Sequence, residues 1–247
     1  MKSPLLNIYK DKYKLAEKLA IDFTGYVQRL SESKEQVDIA LSGGSTPDLF
    51  FKALTRLKSN INWEKVRIYW VDERCVPPDH SESNFASAHR ELLEPLSIPD
   101  TSWFRVRGED DPEVEAKRYS DLILDNVSPG MTFPVFDLIF LGMGADGHTA
   151  SIFPGQANLW NLDRLCAVGI HPVSEQKRVT FTGHLINAAS RVIFLVTGTE
   201  KAEIAGKIIS STGNYRDYPA SLVEPHHGTL EWYLDADAAG PLGLPRS

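Results

Sequence analysis

Apolar residues along this chain fall into two rhythms. Leu15, Leu19, Phe23, Tyr26 and Leu30 recur at helical spacing and predict an amphipathic helix over roughly 11–32. Elsewhere the apolar residues gather in short continuous runs: VDIAL at 37–41, VRIYWV at 66–71, FDLIFL at 136–141 and RVIFLV at 191–196. Runs of this length without alternation read as strands buried on both faces. Helical signals lie between them. Thr46-Pro47 reads as an N-cap with proline in the first helical position. A second helix is expected near 83–94, stopped by Pro95, and a third from Asp111-Pro112 to about 127. A fourth follows Thr197-Gly198-Thr199 and contains Ile204, Ile208 and Ile209. LCAVGI (165–170) and RVTFT (178–182) are weaker strand signals. Buried strands alternating with helices predict an α/β fold, a mostly parallel sheet with helices on both faces. One domain is expected over 1–237, with a flexible tail over 238–247, where AAGPLGLPRS is small and rich in Gly and Pro.

Composition narrows the function. The chain has 247 residues, enough to bury a sizeable core, and its formal net charge of −7 provides no basic field for nucleic acid. An anionic ligand would have to be met by local cations and backbone amides. No apolar run approaches membrane-spanning length, and the N-terminus lacks the pattern of a signal peptide. Cys75 and Cys166 are the only cysteines, so no disulfide framework is expected, and a cytoplasmic setting is the simplest. No Cys/His cluster or H-E-x-x-H pattern points to a metal.

In an open parallel sheet, ligands bind outside the carboxyl ends of the strands. The four apolar runs end in polar loops, so a parallel sheet would bring those loops to one rim. The first loop is Ser42-Gly43-Gly44-Ser45-Thr46-Pro47, with two glycines, three hydroxyls and a helix start, all suited to an anion. It reads equally as a tight turn with a capping threonine. The second is Asp72-Glu73-Arg74: either a salt-bridged cluster, or an arginine facing an anionic oxygen with Asp72 or Glu73 holding it. The fourth, TGTEK, puts Lys201 in the first turn of a helix: either a plain solvated lysine, or a conflict with the helix dipole that a bound anion would remove. Arg178 reads either as a phosphate partner or as a plain surface charge, and Asn84 as part of a helix cap within reach of a substrate hydroxyl.

The third loop is GMGADGHTA. Gly142, Gly144 and Gly147 spell G-x-G-x-x-G, but the match is coincidental for a dinucleotide site. It follows 141 residues of chain instead of opening the domain, and Asp146 inside it would repel pyrophosphate. Asp146 and His148 read either as a histidine satisfied by a backbone carbonyl or as a pair suited to proton transfer, the carboxylate orienting the imidazole.

LSGGSTP (41–47), VDERCVPPDHSESNF (71–85), LGMGADGHTASIFPG (141–155), RVTFTGHLINAASRVIFLVTGTEKAEI (178–204) and Pro219-Ala220-Ser221 together resemble the 6-phosphogluconolactonase family, in order over nearly the whole chain. Its wider superfamily includes glucosamine-6-phosphate deaminases. The resemblance implies a modified Rossmann-like fold, no cofactor and no metal. It also implies hydrolysis of 6-phospho-D-glucono-1,5-lactone in the oxidative pentose phosphate pathway. A monomer or weak homo-oligomer is expected. His148 would be the base that activates water, supported by Asp146, with Arg74 at the ester or the phosphate. The loop Ser42, Gly43, Gly44, Ser45 and Thr46, with Asp72, Arg178 and Lys201, would hold the substrate and its phosphate. The deaminases carry an acid five places after this histidine; here that place is Phe153.

Overall fold

Local chemistry starts two of the longer helices. Asp11 accepts hydrogen bonds from the amides of Tyr13 and Lys14, and Asp111 from those of Glu113 and Val114, so each caps the helix after it. In the computed structural model, which describes residues 4–243, the elements run β1 (Leu5–Tyr9), α1 (Lys12–Ser33), β2 (Val37–Leu41), α2 (Ser45–Leu57), β3 (Val66–Trp70), β4 (Asp72–Arg74), α3 (Asn84–Ala88) and β5 (Trp103–Phe104). Then follow α4 (Pro112–Asn126), β6 (Leu138–Gly142), β7 (Cys166–Ile170), β8 (Lys177–Phe181), α5 (Gly183–Asn187), β9 (Arg191–Val196), α6 (Ala202–Ile209) and β10 (Thr229–Asp235).

Seven strands form one sheet in the order β1-β10-β9-β6-β2-β3-β5, and every pairing in it is parallel. All residues of β2 and β9 are buried, which requires cover on both faces. From β2 the chain winds outward through β3 to β5, and from β6 it winds the other way through β9 to β10. The winding therefore reverses between β2 and β6, a switch point that opens a crevice at the carboxyl ends. The β2–β6 contact is short, pairing only Ile39 with Leu138 and Ala40 with Ile139. It is latched below by Asp137, whose carboxylate accepts from the Asp38 amide at 3.0 Å and from Lys34. Above, Ser42 Oγ donates to the Phe140 carbonyl at 2.8 Å.

The sequence reading of the parallel sheet is correct, with additions. The strands β1, β5 and β10 were not expected. β10 reads TLEWYLD, with charges that look like loop, but Glu231 is neutralised by Arg191 at 2.7 Å inside the sheet. Asp72-Glu73-Arg74 is not a loop but β4, the edge of a second, antiparallel sheet β4-β8-β7, in which the two weaker strand signals find their place. Thr46 is not the N-cap of α2. The helix starts at Ser45 behind Gly44, whose φ of 112° is a conformation that favours glycine, and Thr46 Oγ1 bonds Thr197 Oγ1 instead. The helix near 83–94 is α3 followed by a wider turn over His89–Leu93. The expected tail is packed in its first part: Ala238 and Ala239 are buried, and Pro241 sits near Gly206. Residues 244–247 lie outside the described residues.

The passage from β3 to β4 is held by Tyr119 on α4. Its hydroxyl accepts from the Trp70 amide at 2.8 Å and lies 3.1 Å from the Phe104 carbonyl. Tyr119→Phe leaves that buried amide without an acceptor, a loss of about 1–3 kcal/mol. The expected result is a lower urea midpoint with an unchanged slope in equilibrium unfolding.

Candidate active site

A cleft of about 280 Å³ opens at the switch point. The loop after β2 forms one wall with Ser42, Gly43, Gly44, Ser45 and Thr46. The loop after β6 contributes Gly142, Met143, Gly144, His148 and Ala150, β4 contributes Asp72 and Arg74, β8 contributes Arg178, and Lys201 closes the far side. The site residues implied by the family resemblance all line this cleft except Asp146, which is hydrogen-bonded to His148. A larger groove of about 380 Å³ runs between α1 and α2, but Ala16, Ala20, Leu49 and Leu57 make it mainly apolar and it holds no histidine.

His148 Nδ1 lies 2.6 Å from Asp146 Oδ1, and the same oxygen accepts from the His148 amide at 3.1 Å. An ionised carboxylate only accepts, so Nδ1 carries the proton and Nε2 is left basic. Gly144 makes this geometry possible: a Cβ there would stand 2.2 Å from His148 Nδ1. The buried ring of Phe153 backs the imidazole at 4.6 Å between centroids. Burial opposes ionisation of Asp146, but the hydrogen bond and charge of His148 outweigh it and lower its pKa.

Three cations, Arg74, Arg178 and Lys201, line the cleft. Arg74 and Arg178 are directly opposed across the β4–β8 ladder, an arrangement that is unfavourable for like charges. Burial and the neighbouring Arg74 push the Arg178 pKa down, and burial pushes Lys201 down despite Glu200 and Asp235. None of the three cations is in an ion pair among the described residues. Arg74 Nε is buried without a hydrogen-bond partner among the described residues. Such a cluster gains from an anion placed among its members.

The geometry corrects several finer expectations. Glu73 does not hold the Arg74 guanidinium, which donates to the Glu82 carbonyl. The Glu73 carboxylate is buried and receives the amides of Arg74, Asn84 and Phe85 and the Ser83 hydroxyl, so it anchors the start of α3; burial pushes its pKa up against those bonds. Ser42 and Thr46 have hydroxyls committed to Phe140 and Thr197, leaving Ser45 as the exposed hydroxyl of that loop. Lys201 ends a short turn over Thr199–Lys201 that precedes α6, not the first turn of α6 itself. Asn84 does line the cleft, and its Nδ2 donates to the Asp72 carbonyl at 2.8 Å. Ser151 was missed: its hydroxyl donates to Asp72 Oδ2 at 2.6 Å, a pairing 79 residues apart in sequence with no local signal.

The profile of the family described as glucosamine-6-phosphate isomerases/6-phosphogluconolactonase matches residues 10–232. The chain belongs to this family. Among members of the glucosamine-6-phosphate isomerase/6-phosphogluconolactonase family, a 6-phosphogluconolactonase of Treponema pallidum is 44% identical over 200 residues, covering 81% of this chain and 80% of its own. One from Aggregatibacter actinomycetemcomitans is 41% identical over 225 residues, with 90% and 93% covered. The solved structure of 6-phosphogluconolactonase from Trypanosoma brucei superposes with a TM-score of 0.87 at 27% identity, covering 98% of this chain and 99% of that one. Among the described residues, no helix is long and apolar enough to cross a membrane.

The Asp146–His148 pair has a pH signature. The folded-state pKa of Asp146 is lowered, so its contribution to stability is fully present above the ordinary aspartate value of about 3.9 and is lost as pH falls through the folded value. Carbon-13 NMR titration of the Asp146 carboxyl is expected to give a midpoint below that value. In His148→Ala the midpoint moves upward.

Proposed function

We propose that this enzyme hydrolyses the ring ester of 6-phospho-D-glucono-1,5-lactone to 6-phospho-D-gluconate, with His148 as general base and the cationic side of the cleft holding the phosphate. One observation carries this reading. A basic imidazole nitrogen, oriented by a carboxylate, shares a cleft with three cations that have no ion-pair partner among the described residues. A lactone with a remote phosphate presents the two things such a cleft accommodates, a carbonyl carbon open to water and a dianion to anchor it.

In this mechanism water attacks C1 while Nε2 of His148 takes its proton. Charge develops on the carbonyl oxygen, the tetrahedral intermediate collapses, and the ring oxygen leaves as the hydroxyl after receiving that proton. Asp146 keeps the ring in the productive tautomer and balances the imidazolium that forms. Arg178, Lys201, Ser45 and the amides at the start of α2 bind the phosphate, and that remote binding positions C1 beside His148. The Arg74 guanidinium, which lines the cleft, donates to an anionic oxygen of the substrate. Phe153 favours hydrolysis over amino-sugar isomerisation. It is a buried ring where the resemblance to the deaminases would place the acid used in ring opening.

His148→Ala is expected to lower turnover about 10²–10⁴-fold, the usual range for a general base, in a coupled assay corrected for spontaneous ring opening. Lys201→Ala mainly raises KM, because it removes binding shared by the ground and transition states. Hydrolysis by His148→Ala at the wild-type rate would overturn the base assignment. Release of ammonia from glucosamine 6-phosphate, with no lactone hydrolysis, would overturn the substrate.

A further inference from the structure

Asp72 is an unusual carboxylate for its position. It is 6% exposed, lines the cleft, and neighbours Arg74 and Arg178, yet it forms no ion pair with either among the described residues. One oxygen, Oδ2, accepts from Ser151 Oγ at 2.6 Å. The other, Oδ1, has no hydrogen-bond partner among the described residues and is not one of the buried orphan atoms, so it is open to the cleft. A carboxylate oxygen left open beside cations that would hold a phosphate is an acceptor for hydroxyl groups, which a sugar phosphate carries along its carbon chain.

The backbone around Ser151 is arranged to deliver that bond. Ser151 is fully buried, and its amide donates to Thr180 Oγ1 at 3.1 Å; Thr180 is the residue paired with Asp72 across the β4–β8 ladder. The preceding residue, Ala150, has a φ of 51°, a left-handed conformation unfavourable for alanine. Thr149 fixes the other side of this turn by donating to the Gly142 carbonyl at 2.9 Å. On β7, Gly169 leaves room for it, since a Cβ there would stand 2.2 Å from the Ser151 carbonyl oxygen. A strained turn, a missing side chain on the adjacent strand and a ladder threonine thus converge on one hydroxyl. That hydroxyl serves a single group, the inner oxygen of Asp72.

We infer that Ser151 is a positioning residue. By holding Oδ2, it turns Oδ1 of Asp72 to the cleft as the acceptor for a hydroxyl of the bound sugar phosphate. This rests on the lactone hydrolysis proposed above. Without Ser151 the Asp72 carboxylate swings toward Arg74 or Arg178, where an ion pair would blunt both the sugar contact and the grip on phosphate.

The test is a double-mutant cycle on 6-phosphogluconolactone hydrolysis with Ser151→Ala, Asp72→Ala and the double variant, their folding checked by circular dichroism and thermal melting. Ser151→Ala is expected to lower kcat/KM roughly tenfold or more, the scale of a hydrogen bond to a charged group, with most of the loss in KM. Ser151→Cys, which keeps a weak donor of similar size, restores part of the loss and is also the test variant should Ser151→Ala not fold. In the Asp72→Ala background, removal of the Ser151 hydroxyl costs nothing further. Additive losses, or a lower melting temperature with unchanged kinetics, overturn the positioning role alone. A wild-type protein that does not hydrolyse the lactone overturns the role together with the function it rests on.

Discussion

The site depends on a seam two residue pairs long. Where β2 meets β6 the winding of the sheet reverses, and only Ile39–Leu138 and Ala40–Ile139 pair across it. Parallel strands this briefly paired need other bonds to stay in register. Asp137 supplies them at the lower end through the Asp38 amide and Lys34, while Arg67 neutralises Asp38 with two bonds at 2.7 and 2.8 Å. Burial still pushes the Asp38 pKa upward against those bonds. At the upper end Ser42 ties its loop to Phe140. Because both strands end at this seam, the loop carrying the glycines and the loop carrying Asp146 and His148 face each other across it.

The small antiparallel sheet adds what the parallel sheet cannot. Parallel strand ends offer backbone amides and short polar loops, which suit a phosphate but give little control over where a guanidinium stands. β4 and β8 place Arg74 and Arg178 side by side by ladder register, and Glu73 receives the start of α3 so that Asn84 is held against Asp72. The two arginines oppose each other in the free protein and would be relieved by an anion. That is a way to store part of the binding energy in the fold before the ligand arrives. Phe153 links the halves: its ring touches the His148 imidazole on one side and lies under the Arg178 guanidinium, 5.6 Å away.

Much of this was legible in sequence where the signal was local. The parallel strands announced themselves as continuous apolar runs, because strands covered on both faces have no polar side to show. The strands that escaped notice lacked that mark. β5 is two residues long, and β10 carries Glu231 and Asp235, whose charges are satisfied by Arg191 and by the Gly198 and Ala238 amides, partners at least three residues and mostly tens of residues away. Thr46 was read as a cap because threonine before proline usually is one; a hydroxyl partner 151 residues away, Thr197, took it instead.

By itself the sequence determined the strand-and-helix alternation, the family to which the chain belongs, and the meeting of the loops after β2, β6 and β9, since strand-end loops of a parallel sheet must share a rim. The tertiary structure decided what each of those residues does with its polar atoms. It spent the hydroxyls of Ser42 and Thr46 on the scaffold, withdrew Glu73 into a helix anchor, and brought Ser151 against Asp72. Hydrogen bonds act over about 3 Å in space whatever the distance along the chain. A pattern of residue types can therefore say which groups arrive at a site, and only the folded geometry can say which arrive free.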